Sequence, residues 1–499
     1  MMSRPKIALL IALLLLLAGA GVYFFVQKSV ELEDSEVASA PHEGSSAKAY
    51  ANIPPEEVVE RAWAFYESRP YFQRPRPPND VPAGLPDTKA STCGGCHTEI
   101  YQEWQLSTHR RAWLDDAQFM AELEKSRGGD DHQNDVGWMC VNCHTPNIEQ
   151  LPELVVDLKD GQINQPIYAK NPRFDREFQD EAISCATCHV RDGVVYGPFG
   201  DTDAPHATAK DPKLLTPDNC TQCHNAEAMF PAQNLGCFFT TGKEWASSDY
   251  PKTDQTCQSC HMPQVERKLA GAFDRPPRMT RRHWFGGSLI PKKHAFADAL
   301  EPLKKVYGSG VDIELLATTA DAQATGTPDP DFGADSTRCD ADQPCLRYWV
   351  RLSNRNAGHK FPTGDPERHA EIHVSATNAQ GEVIAQASDL IASRYQWWPS
   401  IEKLTDNRIL PGAHHDILLE IPLDASEDKR KTAPITVEIN AHKYRMYKEA
   451  FEHHDLEGET VRGRQFHLSK WRFTPADPSP KLLSVTDDAG TRSGDEGAP

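Results

Sequence analysis

Five copies of the pattern Cys-x-x-Cys-His stand between residues 93 and 261, and they constrain this 499-residue chain more than any other feature. Two thiols at this spacing can add across the two vinyl groups of one porphyrin, and the adjacent histidine can then bind the iron as its proximal ligand. The pattern therefore predicts five covalently attached c-type haems. The predicted attachment cysteines are Cys93, Cys96, Cys140, Cys143, Cys185, Cys188, Cys220, Cys223, Cys257 and Cys260. The predicted proximal iron ligands are His97, His144, His189, His224 and His261.

Zinc is the competing interpretation of these motifs, because cysteine pairs and histidine also bind that metal. A structural zinc site collects four ligands in a tetrahedron, and it does not require a histidine directly after every second cysteine. All five copies have that histidine. Haem is therefore the favoured cofactor.

The charge of the chain excludes one class of partner. There are 53 lysines and arginines against 72 aspartates and glutamates, which gives a formal net charge of −19. Nucleic-acid binding needs a basic surface. We therefore expect no nucleic-acid partner.

The N-terminus carries an export signal. Arg4 and Lys6 precede an uncharged apolar run over residues 7–26, and twenty apolar residues can span a bilayer with the basic side in the cytoplasm. This predicts a transmembrane helix that anchors the protein in the bacterial inner membrane, with the rest of the chain in the periplasm. The alternative is a signal peptide cleaved near residues 18–20, which would leave a soluble periplasmic protein.

Composition along the chain predicts five segments. An all-β, sandwich-like domain is expected near the C-terminus because short runs there alternate apolar and polar residues with period two. The haem domain is expected to be mainly α-helical and irregular. The segments are a membrane anchor or signal (1–28), a tether and proline-rich linker with a short helix near 54–68 (29–89), the pentahaem domain (90–305), the β domain (306–476) and a disordered tail (477–499).

Three cysteines remain outside the motifs. Cys339 and Cys345 bracket a short turn-like stretch, and an oxidising compartment favours a disulfide between them. Cys237 has no evident partner, and a buried free thiol is the favoured interpretation.

The opposite face of each iron decides what the haem does. A second histidine closes the site and makes an electron carrier, whereas an empty position leaves room for a substrate. His109 lies 12 residues after His97, about 18 Å along a continuous helix, so it is expected to serve a neighbouring haem rather than the first one. The candidate distal ligands are His109, His206, His283, His294 and His359.

Several stretches together resemble a known family. Tyr101-Gln-Glu-Trp with Ser107-Thr-His, Cys257-Gln-Ser-Cys-His-Met-Pro, His283-Trp-Phe-Gly-Gly and Gly358-His-Lys-Phe-Pro-Thr-Gly are similar to segments of the multihaem cytochrome c family that includes the electron acceptors of hydroxylamine oxidoreductase. The resemblance implies periplasmic electron transfer through closely packed, mostly bis-histidine haems. It also implies distal roles for His109 and His283, in a pentahaem member with a C-terminal β domain.

Two functions compete on this basis. The first is an electron-transfer cytochrome that relays electrons between a membrane-side, quinol-oxidising donor, or other cytochromes, and a redox partner. The second is a five-haem oxidoreductase that reduces nitrite, hydroxylamine or a similar small oxyanion at one open haem. Five-haem nitrite reductases usually carry a Cys-x-x-Cys-Lys motif at the catalytic haem, and this chain has none. The electron carrier is therefore favoured over the enzyme.

Overall fold

The described residues belong to one compact unit that begins at residue 48. The predicted membrane anchor or signal, with most of the tether, lies outside them. Within the part of the chain that is described, no helix is long and apolar enough to cross a membrane. The computed structural model describes residues 49–127, 134–200, 203–271, 273–318, 329, 332–423, 432–488 and 490–493.

The expected short helix forms, but the segment that contains it is more than a linker. Helix α1 spans Pro55–Tyr66, with a proline at its start and two glutamates in its first turn, as helix N-termini favour. Val58 and Tyr66 lie on its buried face, and Tyr66 packs against Trp138. Fully burying side chains of this size stabilises by roughly 1.5–3 kcal/mol each. The helix is therefore part of the haem-binding body.

The cysteine motifs themselves form most of the short helices that follow. Each motif overlaps a helix of one or two turns, because the two thiols must face the same side of the backbone. The helices of this part are α2 (Ala90–Gly94), α3 (Thr98–Leu106), α4 (Ala117–Ser126), α5 (Gly137–His144), α6 (Arg176–Asp180), α7 (Cys185–His189), α8 (Asp218–Thr221), α9 (Thr241–Ala246), α10 (Cys257–His261) and α11 (Ala297–Tyr307).

Short strands accompany these helices and add to the expected helical and irregular structure of the haem domain. They pair as β1-β3-β2, β4-β5-β6, β7-β8 and β9-β10, and several of them flank the cavity described below. The strands are β1 (Ala49–Tyr50), β2 (Glu153–Leu158), β3 (Pro166–Lys170), β4 (Val190–Arg191), β5 (Val194–Gly197), β6 (Thr208–Lys210), β7 (Ala226–Phe230), β8 (Leu235–Phe239), β9 (Gln264–Arg267) and β10 (Arg278–Arg281).

The C-terminal part contains two sheets that share one core. One sheet has the order β11-β12-β16 and the other the order β15-β14-β13-β17-β18-β19-β20. Alternate residues of β17, from Ile435 to Ala441, are buried because successive side chains of a strand point to opposite faces. The elements are β11 (Asp312–Ala317), β12 (Cys345–Ser353), β13 (His369–Thr377), β14 (Val383–Gln396), β15 (Glu402–Asp406), β16 (His414–Pro422), β17 (Ile435–Tyr444), α12 (Lys448–His453), β18 (Gly463–Thr474), β19 (Asp477–Asp487) and β20 (Gly490–Ser493).

The expectation of a disordered tail over residues 477–499 is wrong for residues 477–487 and 490–493. They form β19 and β20, which extend the larger sheet by pairing with β18. This segment is rich in serine, aspartate and proline, but it also contains a short apolar run in which Val485 is buried. The neighbouring edge supplies backbone hydrogen bonds that composition does not reveal.

Cys339 and Cys345 form a disulfide at the start of β12. Because the bond closes a loop with a sequence separation of only six, it removes little entropy from the unfolded chain. We expect the double variant Cys339→Ser and Cys345→Ser to lower the free energy of unfolding by about 2 kcal/mol in denaturant titration. A midpoint equal to that of the native protein would contradict this prediction.

Glu244 on α9 joins the haem-binding part to the β part. Its carboxylate pairs with Arg408 at 2.9 Å and accepts hydrogen bonds from the Thr363 hydroxyl (2.6 Å) and the Lys360 backbone N–H (3.2 Å). Glu244 is buried, so these contacts hold it in a medium of low dielectric. They fix the loop between β12 and β13 against the haem-binding part.

Candidate haem-binding site

One continuous cavity of about 2000 Å³ runs through the N-terminal part and reaches the β part. A pocket for one small ligand is about 300–1,000 Å³. The ten motif cysteines and the five motif histidines all line this cavity. Its size and lining fit several bulky apolar groups held close together.

The proximal histidines are oriented by backbone carbonyls. A ring that donates its Nδ1–H to a carbonyl leaves the Nε2 lone pair free for a metal, which fixes the tautomer needed for ligation. Four of the five have this arrangement, and their Nε2 atoms are thereby left free for ligation. The pairs are His97 with Leu269 (2.8 Å), His144 with Ala112 (2.5 Å), His189 with Tyr196 (2.8 Å) and His261 with Gly286.

Four motif histidines face a second histidine across the cavity. The pairs, with the distance between ring centroids, are His97 and His206 (6.5 Å), His189 and His283 (6.3 Å), His224 and His109 (6.4 Å) and His261 and His359 (6.2 Å). These separations are too long for direct stacking of the rings. They are equal to within a few tenths of an ångström, although the pairs come from unrelated parts of the chain.

The common separation is the one that an iron between two imidazoles requires. A ligating imidazole nitrogen lies about 2 Å from its metal, and the ring centre lies about 1.2 Å behind that nitrogen, so two opposed rings have centroids about 6.3 Å apart. The observed 6.2–6.5 Å fits this value. The residues therefore fit haem irons with histidine on both faces.

Burial keeps these imidazoles neutral. It lowers the pKa of His109 and of His283 to about 3, and the pKa of His224 to about 4. A metal ligand must be the neutral form of histidine. The buried rings are therefore ready to bind iron without losing a proton.

His109 reaches His224 from a turn and not from a helix. The continuous helix considered between His97 and His109 does not form, because α3 ends at Leu106, where Ser107 is extended and its hydroxyl donates to the Trp104 carbonyl. Such a bond competes with helix continuation. The structure thus places His109 opposite His224 of the fourth motif. His109 reaches this position because the chain reverses after α3 and because His109 lies far from His97.

His283 is held by a buried ionic cluster. The Glu103 carboxylate accepts the backbone N–H of His283 at 2.9 Å, and it pairs with Arg267 at 2.7 Å and with Arg282 at 2.5 Å. Glu103 and Arg267 are each about 5% exposed. The arginines after the fifth motif are thus partly neutralised by protein groups.

His206 and His359 are held on loops that pack closely on other backbone. A Cβ on Gly84, whose φ is +93°, would come within 2.1 Å of the Pro205 carbonyl oxygen, so glycine lets these two loops meet. The Asn354 side chain donates to the His359 carbonyl at 2.8 Å. The β domain therefore supplies one of the facing histidines.

His294 is a correction to the candidate set. It begins the short 3₁₀ turn His294–Phe296, its side chain is exposed, and it does not line the cavity. It has no place among the facing pairs because α11 starts directly after it and carries the chain away.

His144 differs from the other motif histidines. Phe119 stacks on its ring with centroids 3.4 Å apart, and because iron binds an imidazole in the ring plane, this contact covers a face of the ring and leaves Nε2 free. No described histidine ring faces His144 at the separation of the other four pairs, and His132, which precedes α5 in the sequence, lies outside the described residues. Asp116 and Lys292 are among its charged neighbours.

Contacts between thiols of different motifs give the spatial order of the five sites. The contacting thiols are Cys93 with Cys185, Cys143 with Cys223, and Cys220 with Cys257. Cys188 also interacts electrostatically with Cys223. The first motif therefore lies beside the third, the third beside the fourth, and both the second and the fifth beside the fourth.

Two comparisons with known proteins find similar sequence and structure. Residues 92–190, which contain the first three motifs, match the family model described as cytochrome c554 and c-prime. A penta-heme cytochrome c552 from Thermochromatium tepidum has a similar fold, with 17% sequence identity and a TM-score of 0.50, over 77% of this chain and 98% of that one. This chain has the fold of a multihaem cytochrome c. The family-model match and the shared fold support the expectation of c-type haem in a multihaem cytochrome c.

The other comparisons add nothing to this assignment. No curated protein sequence matches the cytochrome. A calcium-binding mutant of Bacteroides uniformis beta-glucuronidase 2 aligns with a TM-score of 0.14 and 10% identity, over 34% of this chain and 15% of that one. A similarity of that size carries no structural argument.

The sequence analysis missed the polar surroundings of His144. Asp116, Glu122, Asp365 and Glu367 of the cytochrome all line the cavity near the second motif. The sequence pointed to these surroundings only through the many charged residues in the segment after His359. No periodic pattern connects that segment with the second motif. Their proximity is a tertiary feature.

Proposed function

We propose that this protein is a five-haem electron-transfer cytochrome. The observation that carries the proposal is the set of four histidine pairs with ring centroids 6.2–6.5 Å apart. Haem, when bound, supplies an iron that gains and loses one electron at a time. Each pair of imidazoles would hold one haem iron from both faces and leave no position for substrate, so those four centres would carry electrons without binding substrate.

The thiol contacts support a branched path between the centres. The fourth motif is the junction, because thiols of the second and fifth motifs both contact its own thiols. The first and third motifs form one arm that reaches it. Electrons that enter at any arm can therefore reach the other two.

The partners and location are part of this proposal. Donor and acceptor are redox proteins, with a quinol-oxidising membrane protein or another cytochrome as donor, as for the acceptors of hydroxylamine oxidoreductase that the motifs resemble. The apolar run at residues 7–26 favours export and anchoring in the inner membrane, with the haem sites in the periplasm. Cleavage of that segment would give a soluble periplasmic form.

A second function is favoured by one observation, the surroundings of His144. No described histidine faces it, and charged groups line the cavity nearby. An iron with an open sixth position could reduce nitrite, hydroxylamine or a similar small oxyanion there.

Electron paramagnetic resonance of the oxidised protein separates the two functions. We expect four low-spin bis-histidine signals and one high-spin ferric signal, because four pairs are formed and His144 has no described counterpart. Absence of the low-spin signals would contradict the electron-carrier proposal. Five low-spin signals would remove the enzyme proposal, and the variant His132→Ala would then test whether His132 is the missing ligand.

A further inference from the structure

Three carboxyl groups lie together beside the second motif. Glu122 on α4 and Asp365 and Glu367 in the loop before β13 interact electrostatically with one another, and all three line the haem cavity. Three negative charges in a space largely enclosed by protein repel strongly. We call these three residues the carboxyl cluster.

The carboxyl cluster is close to His144. Phe119 stacks on the His144 ring, and Glu122 follows three residues later, on the same face of α4. Asp116, at the start of that helix, interacts with both His144 and Asp365. A change of charge at an iron held by His144 therefore acts on these groups through a medium of low dielectric.

Two carboxyl oxygens of the cluster lack hydrogen-bond partners. They are Oε2 of Glu122 and Oε2 of Glu367, and no described residue donates to either atom. An unpaired buried carboxylate is costly, and protonation removes the cost. Burial and the nearby Asp365 raise the pKa of Glu367 to about 8, and burial raises the pKa of Asp365 to about 6.

Charged groups from several elements face the cluster and set its balance. Glu122 pairs with His454 at 3.6 Å and lies 3.9 Å from Lys125, whose side chain is 37% exposed, so the cluster has a connection to solvent. The other titratable or charged groups around it are Asp116, Cys237, Arg368, Arg445 and Tyr447. The basic groups moderate the repulsion between the carboxyls.

We propose that the carboxyl cluster takes up one proton from solvent when one electron is added to the iron that His144 holds. The electron comes from a one-electron reductant, which is oxidised, and the positive charge of the iron falls by one. The proton converts one carboxylate of the cluster to a neutral carboxyl, so the local charge is unchanged. The proposal adds proton uptake to the proposed function. It rests on that function only because it requires haem at His144.

The direction of the pH dependence follows from this charge balance. The pKa of the cluster is higher in the reduced protein, because a less positive iron stabilises the negatively charged carboxylate less. Between the oxidised and reduced pKa values, the affinity of this centre for an electron falls as pH rises. The limit is tenfold per pH unit, which is 59 mV for a one-electron step.

Proton uptake during full reduction of the holoprotein at an electrode tests the proposal. In weakly buffered solution between about pH 8 and pH 9, at and above the pKa of Glu367, we expect Glu367→Gln to take up fewer protons than the native protein, by as much as one per molecule. Glu124→Gln, an exposed glutamate on the same helix, is the matched control and is expected to match the native protein. Infrared difference spectra should show a protonated carboxyl appearing on reduction and lost in Glu367→Gln.

The outcome is decisive even if the cluster shares its proton. In the triple variant Glu122→Gln, Asp365→Asn and Glu367→Gln, no carboxyl of the cluster remains to accept a proton. Native proton uptake by this triple variant would overturn the proposal. Native proton uptake by Glu367→Gln, together with an unchanged infrared difference spectrum, would also overturn it. Low-spin signals and onward electron transfer, measured in the same samples, report separately on the proposed function and on folding.

Discussion

Replacing His109 with alanine should convert one haem centre from low spin to high spin. His109 faces His224 across the cavity at a centroid distance of 6.4 Å, so its ring is the second histidine of that centre in the proposed arrangement. Without it the iron at the fourth motif keeps only His224, and five-coordinate ferric haem is high spin. Electron paramagnetic resonance should show one of the four low-spin signals replaced by a high-spin signal.

The matched control for this variant is His294→Ala. His294 is an exposed histidine that does not line the cavity, so its loss should leave every signal unchanged. Added imidazole should restore the low-spin signal of His109→Ala, since the cavity left by the side chain has room for the free ligand. An unchanged spectrum in His109→Ala would show that this histidine does not bind iron.

The variant Glu103→Ala should lose about 3–5 kcal/mol of folding free energy. The substitution leaves Arg267, about 5% exposed, without its 2.7 Å carboxylate partner. A buried charge that loses its counter-ion carries the full penalty of desolvation. The His283 backbone N–H also loses its acceptor, so the third-motif centre should shift in its low-spin signal as well.

Glu99→Ala on the same helix is the control for the second variant. Glu99 lies 3.7 Å from Arg267 but its side chain is 63% exposed, so its removal should change the free energy of unfolding by less than about 1 kcal/mol. Denaturant titration of the two holoproteins measures both values. Equal losses for Glu99→Ala and Glu103→Ala would contradict the assignment of the stability to the buried pair.

Local patterns predicted the parts of this molecule whose chemistry is local. The haem motifs are contiguous in sequence, and the strands of the β part follow an alternation of apolar and polar residues that burial on one face imposes. The cavity is lined by all the motif residues that the spacing singled out. Covalent attachment chemistry and strand periodicity are both written within a few neighbouring residues.

Distal ligation is different because it depends on tertiary contacts. His206 and His359 reach their counterparts from loops, and His359 comes from the other part of the protein. His294 was also a candidate distal ligand on the sequence, yet it is exposed. A loop histidine carries no periodic signal, so only the packing of the loops distinguishes a ligand from a surface residue.

The supply of His359 by the β domain has a consequence for biogenesis. In the proposed arrangement, haem is joined to cysteines in the N-terminal part, but the fifth site obtains its second imidazole only when the β12–β13 loop docks through Glu244 and Arg408. Docking of the β domain is thus a maturation step that closes the fifth iron. A chain truncated before this domain would carry its full set of attachment cysteines and still expose one reactive iron to solvent.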